Sequence, residues 1–139
     1  AMDAFSSFLM ADKREIIFAP TVYKFQTFAQ MAEEFKLNER DVVLTNEFIY
    51  TPFMKELGLK CQFVFQEKFG AGEPSEAMIQ TMYDAIPYDS YDRVIAVGGG
   101  AIMDLCKLLG CKRPDTVHNL YFKRFPVVHE KDVIAIPTT

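Results

Sequence analysis

Apolar positions along this chain switch repeatedly between two periods. Asp41-Val42-Val43-Leu44-Thr45 is a short run apolar enough to be buried on both faces, as parallel strands are. Cys61 to Phe65, Arg93 to Val97 and Asp132-Val133-Ile134-Ala135-Ile136 predict further strands. So does Glu15-Ile16-Ile17-Phe18-Ala19, closed by Pro20. Between these runs the spacing turns helical. Phe25, Phe28, Ala29, Ala32 and Phe35 mark one helix, with Lys36 and Asn38 suited to its end. A second helix is predicted from about Thr51 to Leu57, stopped by Gly58. A third runs from Glu76 to Ile86, with Ser75 as its cap and Pro87 and the Tyr88 to Tyr91 turn after it. A fourth runs from Ala101 to Leu109. Gly110 to Arg124 mixes charges, Pro114 and aromatics and reads as irregular, with one short apolar strand near Val117 to Leu120. No internal repeat or low-complexity segment is present.

Strands alternating with helices predict an α/β fold, a Rossmann-like parallel sheet with helices on both faces. Such sheets bind ligands outside the carboxyl ends of their strands. Asn46-Glu47, Gly98 to Ala101 and Thr138-Thr139 stand at such ends, and Glu73 to Ser75 lies further along after the third strand. These loops are expected to converge on one side of the sheet. The sequence stops directly after a strand, at that same edge. This leads us to expect a fragment, a domain covering residues 1–139 whose second half is missing. Ala1-Met2 reads as an addition ahead of a native start.

Half of the 139 residues are hydrophobic, which is a globular composition and enough for one domain with a real core. The 15 basic residues are outnumbered by 19 acidic ones, for a net charge of −4. No basic patch dominates, so nucleic acid is not expected as a partner. No run approaches the ~20 apolar residues that span a bilayer, and Asp3 and Asp12 interrupt any secretory signal. Cys61, Cys106 and Cys111 are odd in number and irregular in spacing. That argues against a disulfide framework and for a reducing cytoplasm.

The segment Arg93 to Lys107 carries the most chemistry. An apolar strand stops at Gly98-Gly99-Gly100 and a helix follows at once. Glycines let an anion approach the main chain, and a helix N-terminus offers unpaired N–H groups and partial positive charge. The ligand this pattern suits is a nucleotide pyrophosphate, although three glycines also make an ordinary tight turn. It is not the G-x-G-x-x-G fingerprint, and Ala101 supplies no hydroxyl. Asp104 reads as a carboxylate in the first helical turn, with Lys107 three residues on; the residues favour a plain helix-surface pair over a border of the site. Asn46 and Glu47 suit either a ribose hydroxyl or the start of a helix. Thr138-Thr139 offers hydroxyls and amides at the sheet edge, or a turn after Pro137. His118 and His129, with the cysteines, fit no usual zinc spacing. No Walker A, G-x-S-x-G or H-E-x-x-H motif occurs.

Val97-Gly98-Gly99-Gly100-Ala101-Ile102-Met103-Asp104-Leu105-Cys106-Lys107 resembles the Gly-Gly-Gly-Ser-x-x-Asp-x-Ala-Lys signature of the iron-containing (group III) alcohol dehydrogenases. Ile134-Ala135-Ile136-Pro137-Thr138-Thr139 resembles the start of that family's second signature, and Gly72-Glu73-Pro74-Ser75 sits where the family tends to carry Pro-Asn-Pro-Thr. The resemblance covers nearly the whole chain in order. Within the family, Val43 to Tyr50 and Phe65 to Ser75 look most like 4-hydroxybutyrate dehydrogenases.

The resemblance implies an NAD(P)-binding N-terminal domain, followed by a helical C-terminal domain that holds a divalent metal, iron or zinc. The metal polarises the alcohol oxygen while hydride passes to the nicotinamide. It implies a pyrophosphate site at Gly98, Gly99, Gly100 and Ala101, bordered by Asp104, with Thr138 and Thr139 lining the same cleft. Asn46 stands where many relatives carry an Asp on the adenosine ribose, with Glu47 beside it, and Glu73 where relatives often carry an Asn near the cofactor. Asn46 in place of Asp weakens the charge-based rejection of a 2′-phosphate; NAD is the expected cofactor and NADP the alternative. The family's metal ligands match nothing in this chain, so this stretch alone is expected to be inactive, with no catalytic residue and no metal ligand of its own. The full-length protein is expected to be a cytoplasmic homo-oligomer that interconverts 4-hydroxybutyrate and succinate semialdehyde. Another iron-type alcohol or diol dehydrogenase is the alternative within the class, and a non-catalytic nucleotide-binding module the alternative outside it.

Overall fold

The computed structural model describes residues 25–118 and 128–138. The strand expected at 15–19, and Thr139, lie outside the described residues. Four strands, β1 (Asp41–Thr45), β2 (Gln62–Phe65), β3 (Arg93–Gly98) and β4 (Asp132–Pro137), form one sheet in the order β2-β1-β3-β4, every pairing parallel. These four strands match their predicted bounds to within a residue at each end.

Helices cover both faces, as the alternation required. α1 (Phe28–Glu34) and α2 (Glu47–Phe53) pack on one face, where Met31, Ile49 and Met54 meet Val43, Ile95 and Val97. α3 (Glu76–Ala85) and α4 (Gly100–Leu109) pack on the other, where Ile79, Met82, Leu105 and Leu109 meet Val42, Leu44, Val94 and Ala96. The alternation of Val42, Val43 and Leu44 between these two clusters is the period-two geometry of a strand buried on both sides. Leu44, Ile95 and Leu105 are fully buried, and truncating such a residue to Ala costs about 2–5 kcal/mol.

Two elements differ from expectation. The helix expected at Thr51 to Leu57 begins at Glu47 and ends at Phe53, followed by a 3-10 turn over Lys55–Leu57 and Gly58 with φ +63°. Pro52 lies inside the helix, one residue from its end, and supplies no N–H for an i−4 bond there. Val117 and His118, expected in a strand, are helical, and the rest of that segment lies outside the described residues. Other starts follow their caps: Thr27 Oγ1 accepts from the Gln30 N–H at 3.2 Å and Ser75 Oγ from the Met78 N–H at 3.2 Å.

The amino ends of the strands are clamped by charge. Arg93 donates to both carboxylate oxygens of buried Asp41, at 2.6 and 2.9 Å, and Arg40 pairs with Asp92 at 2.9 Å. The carboxyl ends of β3 and β4 carry small and uncharged residues instead, while Glu47 and Glu67 follow β1 and β2.

Candidate functional site

The order β2-β1-β3-β4 makes the gap between β1 and β3 a switch point. The chain leaves β1 into α2 on one face and leaves β3 into α4 on the other. A crevice opens where successive helices diverge in this way, at the carboxyl ends of the strands. Five hydrogen bonds tie the strand ends there into a rim. Thr45 Oγ1, fully buried, donates to the Val97 carbonyl at 2.7 Å. The Thr138 N–H donates to the Gly98 carbonyl at 3.1 Å. At the far side, the Asn46 amide donates to Glu67 Oε1 at 2.5 Å and to Gln66 Oε1 at 3.2 Å, while the Glu47 N–H donates to Glu67 Oε2 at 2.8 Å.

The three glycines do different jobs. Gly98 has φ +156°, and a Cβ there would stand 2.5 Å from Ile102 Cδ1, so it makes the sharp exit from β3. Gly99 occupies the N-cap position of α4 with extended backbone. Among the described residues, and apart from chain neighbours and the helix's own backbone, no atom lies within 4 Å of where a Cβ on Gly99 or Gly100 would stand. The first turn of a helix has N–H groups with no partner in the helix, and at Gly100 and Ala101 they begin in front of this open space. A phosphate group fits such a cradle by shape and by the sign of the helix dipole.

Asp104 lies in the second turn of α4, not the first, because the helix starts at Gly100. It stands 3.8 Å from Lys107 Nζ, as a helix-surface pair does. Glu73 is exposed in the loop before α3, and no described hydrogen bond links it to Asn46 or the glycine turn. Asn46 occupies the N-cap position of α2 but makes no capping bond through its side chain; the Glu67 carboxylate reaches across from the end of β2 and takes the Glu47 N–H instead. Burial works to raise the Glu67 carboxyl, yet the Glu47 N–H and the Asn46 amide outweigh it and hold it below the usual carboxylate range.

Thr45, Gln66 and Glu67 were missed by the motif reading. The signal existed for two of them: Gln66 and Glu67 follow an apolar run, as Asn46 follows β1, and the same strand-end argument applies. His118 stands 3.7 Å from Glu76, while His129 forms a backbone bridge with Cys111. Among the described residues no three His, Cys, Asp or Glu side chains group as metal ligands, so we derive no metal step from these residues. Among them, too, no helix is long and apolar enough to cross a membrane. On the α1/α2 face, a separate groove of about 890 Å³ with apolar walls is lined by Phe25, Met31, Phe48, Phe53 and Ile136, and reaches Thr138.

Comparison with known proteins places these features. The family model for iron-containing alcohol dehydrogenase matches residues 19–139. The 4-hydroxybutyrate dehydrogenase of Clostridium kluyveri is 43% identical over 121 residues, covering 87% of this chain and 33% of that protein. The chain thus spans about a third of the length of this relative. Among solved structures, the sulfoacetaldehyde reductase of Bifidobacterium kashiwanohense, in complex with NAD+, superposes with a TM-score of 0.61 at 16% identity, over 86% of this chain and 37% of that one. An iron-containing alcohol dehydrogenase superposes with a TM-score of 0.59 at 20% identity, over 86% and 38%. At those identities the structures speak for the fold.

Proposed function

This chain belongs to the iron-containing alcohol dehydrogenase family, and on that footing we propose that it is the NAD-binding domain of a cytoplasmic enzyme that reversibly oxidises 4-hydroxybutyrate to succinate semialdehyde. The observation that carries the substrate is the 43% identity to the C. kluyveri enzyme over 87% of this chain. The observation that carries the cofactor site is the open glycine cradle at the β1/β3 switch point.

Bound here, NAD would supply the acceptor for the hydride of the alcohol carbon, with the hydroxyl proton passing to solvent. The residues here bind and orient. Gly99, Gly100 and Ala101 present main-chain N–H groups to the pyrophosphate. Asn46, with Glu67 behind it, meets the adenosine ribose. Thr138, and Thr139 after it, border the cleft beside Gly98, and Glu47 and Glu73 flank it. Asp104 contributes through the helix that carries the cradle. The divalent metal, iron or zinc, belongs to a helical domain beyond Thr139, and the complete protein works as a homo-oligomer.

The test uses the complete protein. NADH should bind saturably and 4-hydroxybutyrate should be turned over ahead of simple alcohols and diols. Binding of NADH with turnover of butanol or glycerol instead would move the substrate to another member of the family. Residues 1–139 alone should not turn over 4-hydroxybutyrate.

A further inference from the structure

Asn46 spends both of its amide hydrogens on Gln66 and Glu67. What remains on that side chain is the carbonyl oxygen, an acceptor. Glu67 takes one hydrogen bond on each carboxylate oxygen. An ionised carboxylate has about four acceptor sites and no donor, so its remaining capacity is also for donors. The spare capacity of these two side chains is therefore for donors only, and Glu67 brings a negative charge to the end of β1. The nearest cation in sequence, Lys68, is turned over the Phe65 ring, 5.7 Å from its centroid, and Phe65 packs on Tyr50 of α2.

We propose that Glu67, held by Asn46 and the Glu47 N–H, is the residue that restricts this site to NAD. A vicinal diol brings two O–H donors to a surface of acceptors. A 2′-phosphate brings only acceptors and about two negative charges, and meets a carboxylate that two hydrogen bonds orient toward this edge. Like charges brought together in this way cost affinity for the wrong ligand and add little for the right one. The charge that Asn46 itself lacks thus enters the site from β2.

This inference rests on the dinucleotide reading above, and the experiment separates the two. Dissociation constants for NADH and NADPH are measured by cofactor fluorescence on the complete protein and on Glu67→Gln. Glutamine keeps an acceptor for the Glu47 N–H, and thermal melting checks that the fold is intact. The wild type should prefer NADH by more than about tenfold. E67Q should lose about tenfold of that preference, through tighter NADPH, with NADH changed less than threefold. A wild-type preference for NADPH, or a ratio that E67Q leaves unchanged, overturns the role of Glu67 and leaves the dinucleotide site standing. Failure of the wild type to bind either cofactor overturns the site itself, and the role of Glu67 with it. Should E67Q not fold, displacement of NADH from the wild type decides: 5′-AMP should compete well and 2′,5′-ADP poorly, and equal competition overturns the inference.

Discussion

The hydroxyl of Thr45 donates to the carbonyl of Val97 across 2.7 Å, inside a fully buried contact. The β1/β3 register ends one step earlier, at Leu44 and Ala96. A side chain therefore supplies the last rung where the two backbones begin to diverge into α2 and α4. It holds β1 and β3 together at the edge where the crevice opens.

Thr45→Val keeps the shape and removes the rung. A typical buried hydrogen bond contributes about 0.5–1.5 kcal/mol, so urea unfolding should show a loss of about 1 kcal/mol. NADH affinity should fall as well, because the rim loosens. Unchanged stability would mean that the Val97 carbonyl finds another donor.

Gly98 and Gly99 should respond differently to the same change. Gly98→Ala places a Cβ on a backbone at φ +156° and forces the buried Ile102 side chain to turn. Strain of this kind costs about 1–3 kcal/mol. Gly99→Ala meets open space on extended backbone and should cost at most about 1 kcal/mol. Thermal melts of the two variants give the comparison; equal losses would contradict this division of labour.

Arg93 tests stability apart from binding. Arg93→Met leaves the carboxylate of Asp41, only 2% exposed, without its bidentate partner. Breaking such a pair costs roughly 3 kcal/mol. The pair sits at the amino end of the sheet, so NADH affinity of the folded fraction should not change.

Acid should reveal the anchoring of Glu67. Its carboxyl lies below its ordinary value in the folded chain, despite burial, because the Glu47 N–H and the Asn46 amide favour the charged form. With the folded value depressed, its contribution is complete above the unfolded carboxyl range of about pH 4–5 and is lost as pH falls through the folded value. The stability gap between wild type and E67Q, measured in urea, should therefore close between pH 7 and about pH 3. A gap as wide at pH 3 as at pH 7 would mean that the charge plays no part.

The strands were legible because burial on both faces leaves a continuous apolar run, as Val42 to Leu44 and Val94 to Val97 show. The glycine turn was legible because its residue type follows from its backbone. The start of α2 was legible only as an alternative reading of Asn46, which does hold the N-cap position; the acceptor that takes the Glu47 N–H is Glu67, twenty residues away in sequence, and local capping rules see only neighbours. Thr45 was hidden for a similar reason: in sequence it is the polar last residue of a strand, and only the β1/β3 pairing gives its hydroxyl a partner. Asp104 was placed one turn too early because Gly100 was read as part of the loop.

The central claim is that the open cradle of α4 seats a dinucleotide, and Gly99→Val tests it most directly. Valine suits the extended backbone at this position and its Cβ enters space that is open among the described residues, so the melting temperature should be nearly unchanged while its methyl groups project into the space proposed for phosphate. NADH titration of the complete protein should show saturable binding for the wild type and at least about tenfold weaker binding for G99V. Equal affinity in the two proteins, with the fold intact, would contradict the account.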